Sequence, residues 1–175
     1  MNLDRVGRAE RDVVVGFLDL SFFTRDAARE GDARAAEIVS EYYARVGGRV
    51  RAAGGTVVKY IGDGVLLVFG GDRADDAAGA VLALREEVDD WMRSLRWESR
   101  LTVKLHAGSV IAGSYGAPGD ERFDVIGTTV NVAARLPRPF HISPQVFRRL
   151  SPPMRQRFKK HTPPITYIPA EDRHG

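Results

Sequence analysis

In the stretch KYIGDGVLLVF, residues 59–69, Lys59 and Asp63 interrupt an otherwise apolar run. Charged groups in such a setting are costly unless something pairs with them. A second acid, Asp19, closes the apolar run VVVGFLDL at 13–20. Each aspartate follows a strand-like run, so both are expected to emerge at one edge of a sheet. Two carboxylates brought together repel, and one takes up a proton unless a cation compensates them. Hard divalent cations prefer oxygen ligands, and Mg²⁺ typically takes one or two carboxylates together with substrate phosphates. Spacing alone favours a plainer reading: Asp19 caps a turn, and Asp63 is the preferred residue of an Asp-Gly turn.

The elements that would position these residues can be read from periodicity. A first strand is expected over 12–20. A helix follows, with Asp32 as its N-cap and Ala35, Ile38, Val39, Tyr42, Tyr43, Val46 and Val50 at three- and four-residue spacing. Gly47 and Gly48 weaken that helix. TVVKYI and VLLVF flank GDG, a strong hairpin signal that puts Asp63 at the tip. A second amphipathic helix places Ala77, Val81, Leu84, Val88, Trp91 and Leu95 on one stripe. RLTVKLHAGSVIAGS predicts two strands joined tightly at HAG, and RFDVIG a short strand. TTVNVAARL predicts a short helix ending by about Leu136, because Pro137 disfavours helical geometry in the residue before it. FHIS, a helical turn through Leu150 and an edge strand ITYIP complete the chain. Helices alternate with strands, yet hairpins are frequent. This predicts an α+β fold, a mixed and largely antiparallel sheet with helices packed on it. A single domain over 1–175 is expected, with its core at about 12–150.

The chain has 175 residues, 43% hydrophobic and 28% charged, a globular balance. No apolar run approaches the roughly 18–20 residues that span a bilayer, and the N-terminus lacks an apolar signal core, so no membrane insertion and a cytoplasmic location are expected. Absence of cysteine excludes disulfides, thiolate metal sites and a cysteine nucleophile. The formal charge is +3 although the pI is about 9.4. The densest basic stretch, RRLSPPMRQRFKKH, is broken by Pro152 and Pro153 and holds one aromatic, Phe158. It reads as a solvated face, and no nucleic-acid partner is expected.

Taken together, FLDLSFFT, KYIGDGVLLVFG and HAGSVIAGSYGAPGDERFDVIGTTVNVAARL resemble the catalytic domain of class III adenylyl and guanylyl cyclases. The resemblance covers roughly residues 13–150. It implies a ferredoxin-like core and a site shared between two protomers of a homodimer. Asp19 and Asp63 match the family's metal-binding aspartates, and Leu20 matches the position whose carbonyl also touches a metal. Two Mg²⁺ or Mn²⁺ ions per site are implied. The turn at 21–24, with Phe22, Phe23 and Thr24, matches the segment whose amides hold the phosphates. Lys59 and Asp124 match the purine-reading pair in the form that goes with adenine, where guanylyl cyclases tend to carry Glu and Cys. Asn131 matches the residue that orients the ribose, and Arg135 the arginine that stabilises charge on the α-phosphate. The implied reaction converts ATP to 3′,5′-cyclic AMP and pyrophosphate. The metal aspartates belong to one chain of the dimer, and Lys59, Asp124, Asn131 and Arg135 to the other.

Two departures stand out. The phosphate turn often has Gly where this chain has Phe22, and the connection after Arg135 is short, PRP leading directly into FHIS. The alternatives are a cyclase for another nucleotide, or a catalytically idle cyclase-fold module that binds nucleotide or dimerises. His106 is expected to be a hydrogen-bonded structural histidine, and Trp91 and Trp97 core or rim residues.

Overall fold

A computed structural model describes residues 7–172. Strand β1 (Ala9–Ser21) runs into helix α1 (Phe23–Glu30), and after Gly31 into α2 (Asp32–Ala52). Strands β2 (Thr56–Ile61) and β3 (Gly64–Gly70) form a hairpin, followed by α3 (Ala74–Ser94) and β4 (Arg100–Tyr115). Then come β5 (Arg122–Ile126), α4 (Thr128–Ala134), β6 (Phe140–Ile142), α5 (Pro144–Arg149), α6 (Pro152–Arg155), β7 (Phe158–His161) and β8 (Thr166–Pro169). The strands make one eight-stranded sheet in the order β2-β3-β1-β4-β6-β8-β7, with β5 also pairing β4. All pairings are antiparallel except β4–β6, which makes the sheet mixed and largely antiparallel, as expected.

Alternation along β1 divides the core. Val14, Leu18 and Leu20 face a large cluster built with α2 and α3. Val13 and Val15, with Phe17 beside them, face a smaller cluster that takes Val130 and Ala133 from α4. This is the period-2 logic of a strand buried on both faces. The stripes expected on α2 and α3 are the ones buried: Ala35, Ile38, Tyr42, Val46 and Val50 on α2, and Ala77, Val81, Leu84 and Val88 on α3. Val39, Tyr43, Trp91 and Leu95 are half-buried at the margins, and Trp97 is buried.

Several expectations need correction. Residues 100–115 form one continuous strand. His106, Ala107 and Gly108 pair with Val15, Val14 and Val13, so HAG is mid-strand and not a turn. Gly108 is there for close approach: a Cβ would meet Thr129 Oγ1 of α4 at 2.7 Å. Residues 23–30 form a helix of their own before α2. Asp32 is the first residue of α2 rather than its cap, and Gly31 holds the cap position with no side-chain bond. Finally, β8 lies between β6 and β7, so the edge belongs to β7. Lys159 and Lys160 there pair with Ile168 and Tyr167, and charged residues are common on such edges. Within the basic stretch, Arg149 binds both oxygens of Asp12 at 2.7 and 2.8 Å, while Arg155 bonds the Phe147 and Arg148 carbonyls.

Candidate active site

Asp19 lies near the C-terminal end of β1, on the side of the strand that carries Phe17 and Val15. The thirteen-residue ladder to β4 pairs it with Thr102 and holds its backbone. Asp63 sits in the β2–β3 turn. Tyr43 of α2 fixes that turn by donating its hydroxyl to the Gly62 carbonyl, and its ring stacks on Tyr60 at 4.0 Å between centroids. Asp63 Oδ2 accepts the Leu20 amide at 3.1 Å, which brings its carboxylate against the residue that follows Asp19. Tyr42 buries its hydroxyl nearby. Burial first, then the negative charge of Asp19 and Asp63, pushes its ionisation well up. The two carboxylates expected at one sheet edge are therefore together.

Asp19 is half-buried. Its Oδ2 accepts Arg138 Nη2 at 2.6 Å, and its Oδ1 is buried without a hydrogen-bond partner. A buried carboxylate oxygen left without a donor is costly and is a good seat for a hard cation. The donor set is all oxygen and fits Mg²⁺ or Mn²⁺: the Asp19 and Asp63 carboxylates, with Leu20 next to Asp19 in the chain and bonded to Asp63 through its amide. Among the described residues no cluster of three or more His, Asp or Glu side chains joins them, so further positions would fall to phosphate and water oxygens.

Beyond Ser21 the chain turns at Phe22, with φ 62° and ψ 6°. This is the left-handed region that glycine favours, and a phenylalanine adopts it here. Its ring is 61% exposed, with the Arg25 guanidinium 4.9 Å above it. The turn lets α1 start at Phe23, and the amides of Phe23 and Thr24, in the helix's first turn, have no intrahelical partner. A buried tie aims this helix: Asp26, 0% exposed, accepts the Ser99 amide at 2.8 Å and its hydroxyl at 2.7 Å.

Lys59 and Asp124 come from β2 and β5, on either side of the β3-β1-β4 centre. A bulge at Val58 shifts the β2 register just before Lys59. Lys59 Nζ donates to Asp124 Oδ2 at 2.6 Å, while Asp124 Oδ1 accepts the Val125 amide at 2.8 Å. A donor and an acceptor thus stand side by side, partly exposed. Asn131 and Arg135 lie one turn apart at the end of α4, both exposed, and neither side chain makes a hydrogen bond or ion pair among the described residues. Arg135 is the helix's C-cap, as the nearby Pro137 predicts.

Two cations escaped the sequence analysis. Arg138 pairs with Asp19 across 119 positions of chain. Lys104 is half-buried on β4, and its Nζ donates to the Ala134 carbonyl at 2.8 Å. Burial, and secondarily Arg138, lowers the Lys104 pKa, with Asp19 opposing the shift. In sequence, Arg138 reads as a loop residue and Lys104 as strand polarity, and no local signal links either to Asp19. His106 is buried. Its pKa is lowered by burial and then by Arg149, and its Nδ1 has no hydrogen-bond partner, so the expected bond is absent at that atom.

Residues 7–169 match the family model described as the adenylate and guanylate cyclase catalytic domain. Adenylate cyclase 2 of Rhizobium meliloti (strain 1021) is 32% identical over 152 residues, 79% of this chain and 42% of that protein. The chain therefore spans about two fifths of the length of that relative. Among solved structures, the adenylyl cyclase CyaB from P. aeruginosa superposes with a TM-score of 0.83 at 18% identity, over 96% of this chain and 98% of that one. A bacterial light-regulated adenylyl cyclase gives 0.82 at 22% identity, over 99% and 55%. The guanylyl cyclase Cya2 gives 0.76 at 20% identity, over 90% and 85%, so the fold alone does not separate the two substrates. With its family model matched over nearly the whole chain, a mixed sheet of this order and two carboxylates meeting at the end of its central strand, this chain belongs to the family of class III adenylate and guanylate cyclase catalytic domains.

Proposed function

We propose that this chain is an adenylyl cyclase domain that converts ATP to 3′,5′-cyclic AMP and pyrophosphate as a symmetric homodimer. The observation that carries the choice of ATP is the Lys59–Asp124 pair, a donor and an acceptor 2.6 Å apart and open to solvent. Lys59 Nζ donates to N1 of adenine, and the Asp124 carboxylate accepts from the 6-amino group. Guanine presents the reverse pattern and leaves both protein groups unpaired, which is a strong basis for rejection.

In this reading Asp19, Asp63 and the Leu20 carbonyl hold two Mg²⁺ or Mn²⁺ ions. When bound, those ions activate the 3′-hydroxyl and neutralise the phosphates. The amides of Phe23 and Thr24 cradle the triphosphate at the start of α1, with Phe22 supplying the turn. Asn131 holds the ribose, so that its 3′ oxygen faces the α-phosphorus. That oxygen gives up its proton to solvent and bonds to the α-phosphorus, the bond to the bridging oxygen breaks, and pyrophosphate leaves. Arg135 meets the charge that develops on the α-phosphate. Its exposed position at the C-cap of a seven-residue helix leaves its side chain free to approach a substrate. Exposed Ile61, Ile126 and Val132 stand on the elements that carry Lys59, Asp124 and Asn131. An apolar surface there supports burial against a second copy. The whole chain acts as one catalytic domain.

The test is product formation from ATP, GTP, UTP and CTP, each with Mg²⁺ or Mn²⁺, with products identified by mass. Cyclic AMP from ATP alone, lost in Asp63→Ala, is the expected result. A different dominant cyclic nucleotide overturns the roles of Lys59 and Asp124. No product from a protein shown to be dimeric overturns the catalytic reading.

A further inference from the structure

We propose that Arg138 is a built-in counter-cation for Asp19, one that holds Oδ2 and competes with a divalent cation for the carboxylate's charge. The inference rests on Asp19 being a metal ligand, as argued above. Asp19 and Asp63 meet at the end of β1, where two uncompensated carboxylates would repel. The charge is met from within the chain, by Arg138 Nη2 on Asp19 Oδ2 at 2.6 Å. Among the described residues no other side chain pairs with Asp19. Lys104 is close enough to feel its field, but its ammonium is tied to the Ala134 carbonyl at 2.8 Å.

The loop that carries Arg138 is held on both sides of it. The Pro139 carbonyl accepts the Val103 amide at 2.8 Å, and the buried His141 hydrogen-bonds the Arg138 backbone. The backbone is thus kept beside β4, where the guanidinium reaches Asp19. The side chain itself is 58% exposed and can swing into solvent without unpacking any core. A guanidinium and a divalent cation on one carboxylate repel each other, so each weakens the other's hold on Asp19. The metal wins by charge but loses whatever the ion pair was worth. A partly exposed pair of this kind weakens metal binding by about fivefold at most.

The test is Mn²⁺ binding to the nucleotide-free chain, followed by the electron paramagnetic resonance signal of free Mn²⁺. Arg138→Gln keeps the side chain's length and removes its charge. It should bind Mn²⁺ about two- to fivefold more tightly than the parent chain, while Arg138→Lys stays close to the parent. In EDTA, Arg138→Gln should melt below the parent because Asp19 loses its partner, and added Mn²⁺ should close that gap. Asp19→Asn should lose tight Mn²⁺ binding altogether. If Arg138→Gln binds Mn²⁺ no more tightly while Asp19→Asn still loses it, the counter-cation role is wrong and the metal site stands. If Asp19→Asn binds as the parent does, the metal assignment fails, and this inference goes with it.

Discussion

The left-handed backbone at Phe22 makes a prediction that separates strain from contact. At φ 62° an L-residue carries about 1–2 kcal/mol of steric cost that glycine does not. The ring returns little, because it is 61% exposed and its stacked Arg25 contributes about 0.5 kcal/mol at such a site. Phe22→Ala keeps the strain and loses the stacking, so it should destabilise by about 0.5 kcal/mol. Phe22→Gly relieves the strain but gains freedom in the unfolded chain, which returns about 0.4–1 kcal/mol to the unfolded side. Glycine should therefore exceed alanine by about 0.5–1 kcal/mol, or about 1–4 °C in Tm for a chain of this size. Phe22→Val, with its branched Cβ, should fall below both. The assay is thermal unfolding by circular dichroism in EDTA, at one fixed protomer concentration because any dimer makes Tm concentration-dependent. Alanine matching or exceeding glycine would refute the argument, since it would mean that the turn into α1 does not hold this conformation in solution.

Other positions give independent checks. Within α2, a Cβ at Gly48 meets nothing within 4 Å, so Gly48→Ala should raise stability by about 0.5–1 kcal/mol; at Gly47 it meets Tyr60 Oη at 2.8 Å, so Gly47→Ala should gain less or lose, and urea unfolding compares the two. His106 and His141 have pKa values lowered chiefly by burial, so the folded chain binds fewer protons than the unfolded one below the ordinary histidine value of 6.5. Their contribution is complete above that pH and is lost as pH falls below it, and His106→Gln or His141→Gln should flatten the fall of the urea midpoint below pH 6.5. If the site is shared between protomers, Asp63→Ala and Lys59→Ala should each be inactive alone, yet an equal mixture of unfolded chains refolded together should regain about a quarter of the parent activity, because half of the dimers would carry one intact site. No recovery in mixed dimers would place the whole site within one chain.

The parts of the molecule legible in the sequence are those whose burial is local and periodic. The stripes of α2 and α3 each face one core, and the Asp-Gly turn lies between two β-branched runs. Helix α1 has no such stripe. Asp26 is its only buried residue, and it is set by Phe22 and by the tie to Ser99, 73 positions away. Gly108 misled because glycine marks turns more often than it marks close packing against another helix. Strand β7 has Phe158 as its only buried residue, too little to read as a strand. In the candidate site, Asp19, Lys59 and Asp63 were visible as charges within or at the ends of apolar runs, and Asp124 only through the family resemblance. Arg138 was not, because its partner is set by the parallel pairing of β6 with β4, which holds the loop before β6 beside β4 with the Arg138 side chain reaching Asp19 of β1.

The sheet order also bears on how such a chain could change over time. Asp19 lies on β1, flanked by partners on both sides, and its backbone position is shared with the core of the whole molecule. Lys59 stands on the outermost strand β2, and Asp124 on β5, which pairs only with β4. Substitutions at the two outer, partly exposed positions disturb little packing, so under the proposed roles a change in the base accepted carries a small stability penalty. The backbone that carries the central acid is part of the fold itself. If Lys59 and Asp124 read the base and Asp19 holds metal as proposed, a lineage built on this architecture is freer to exchange the nucleotide it recognises than the chemistry it performs.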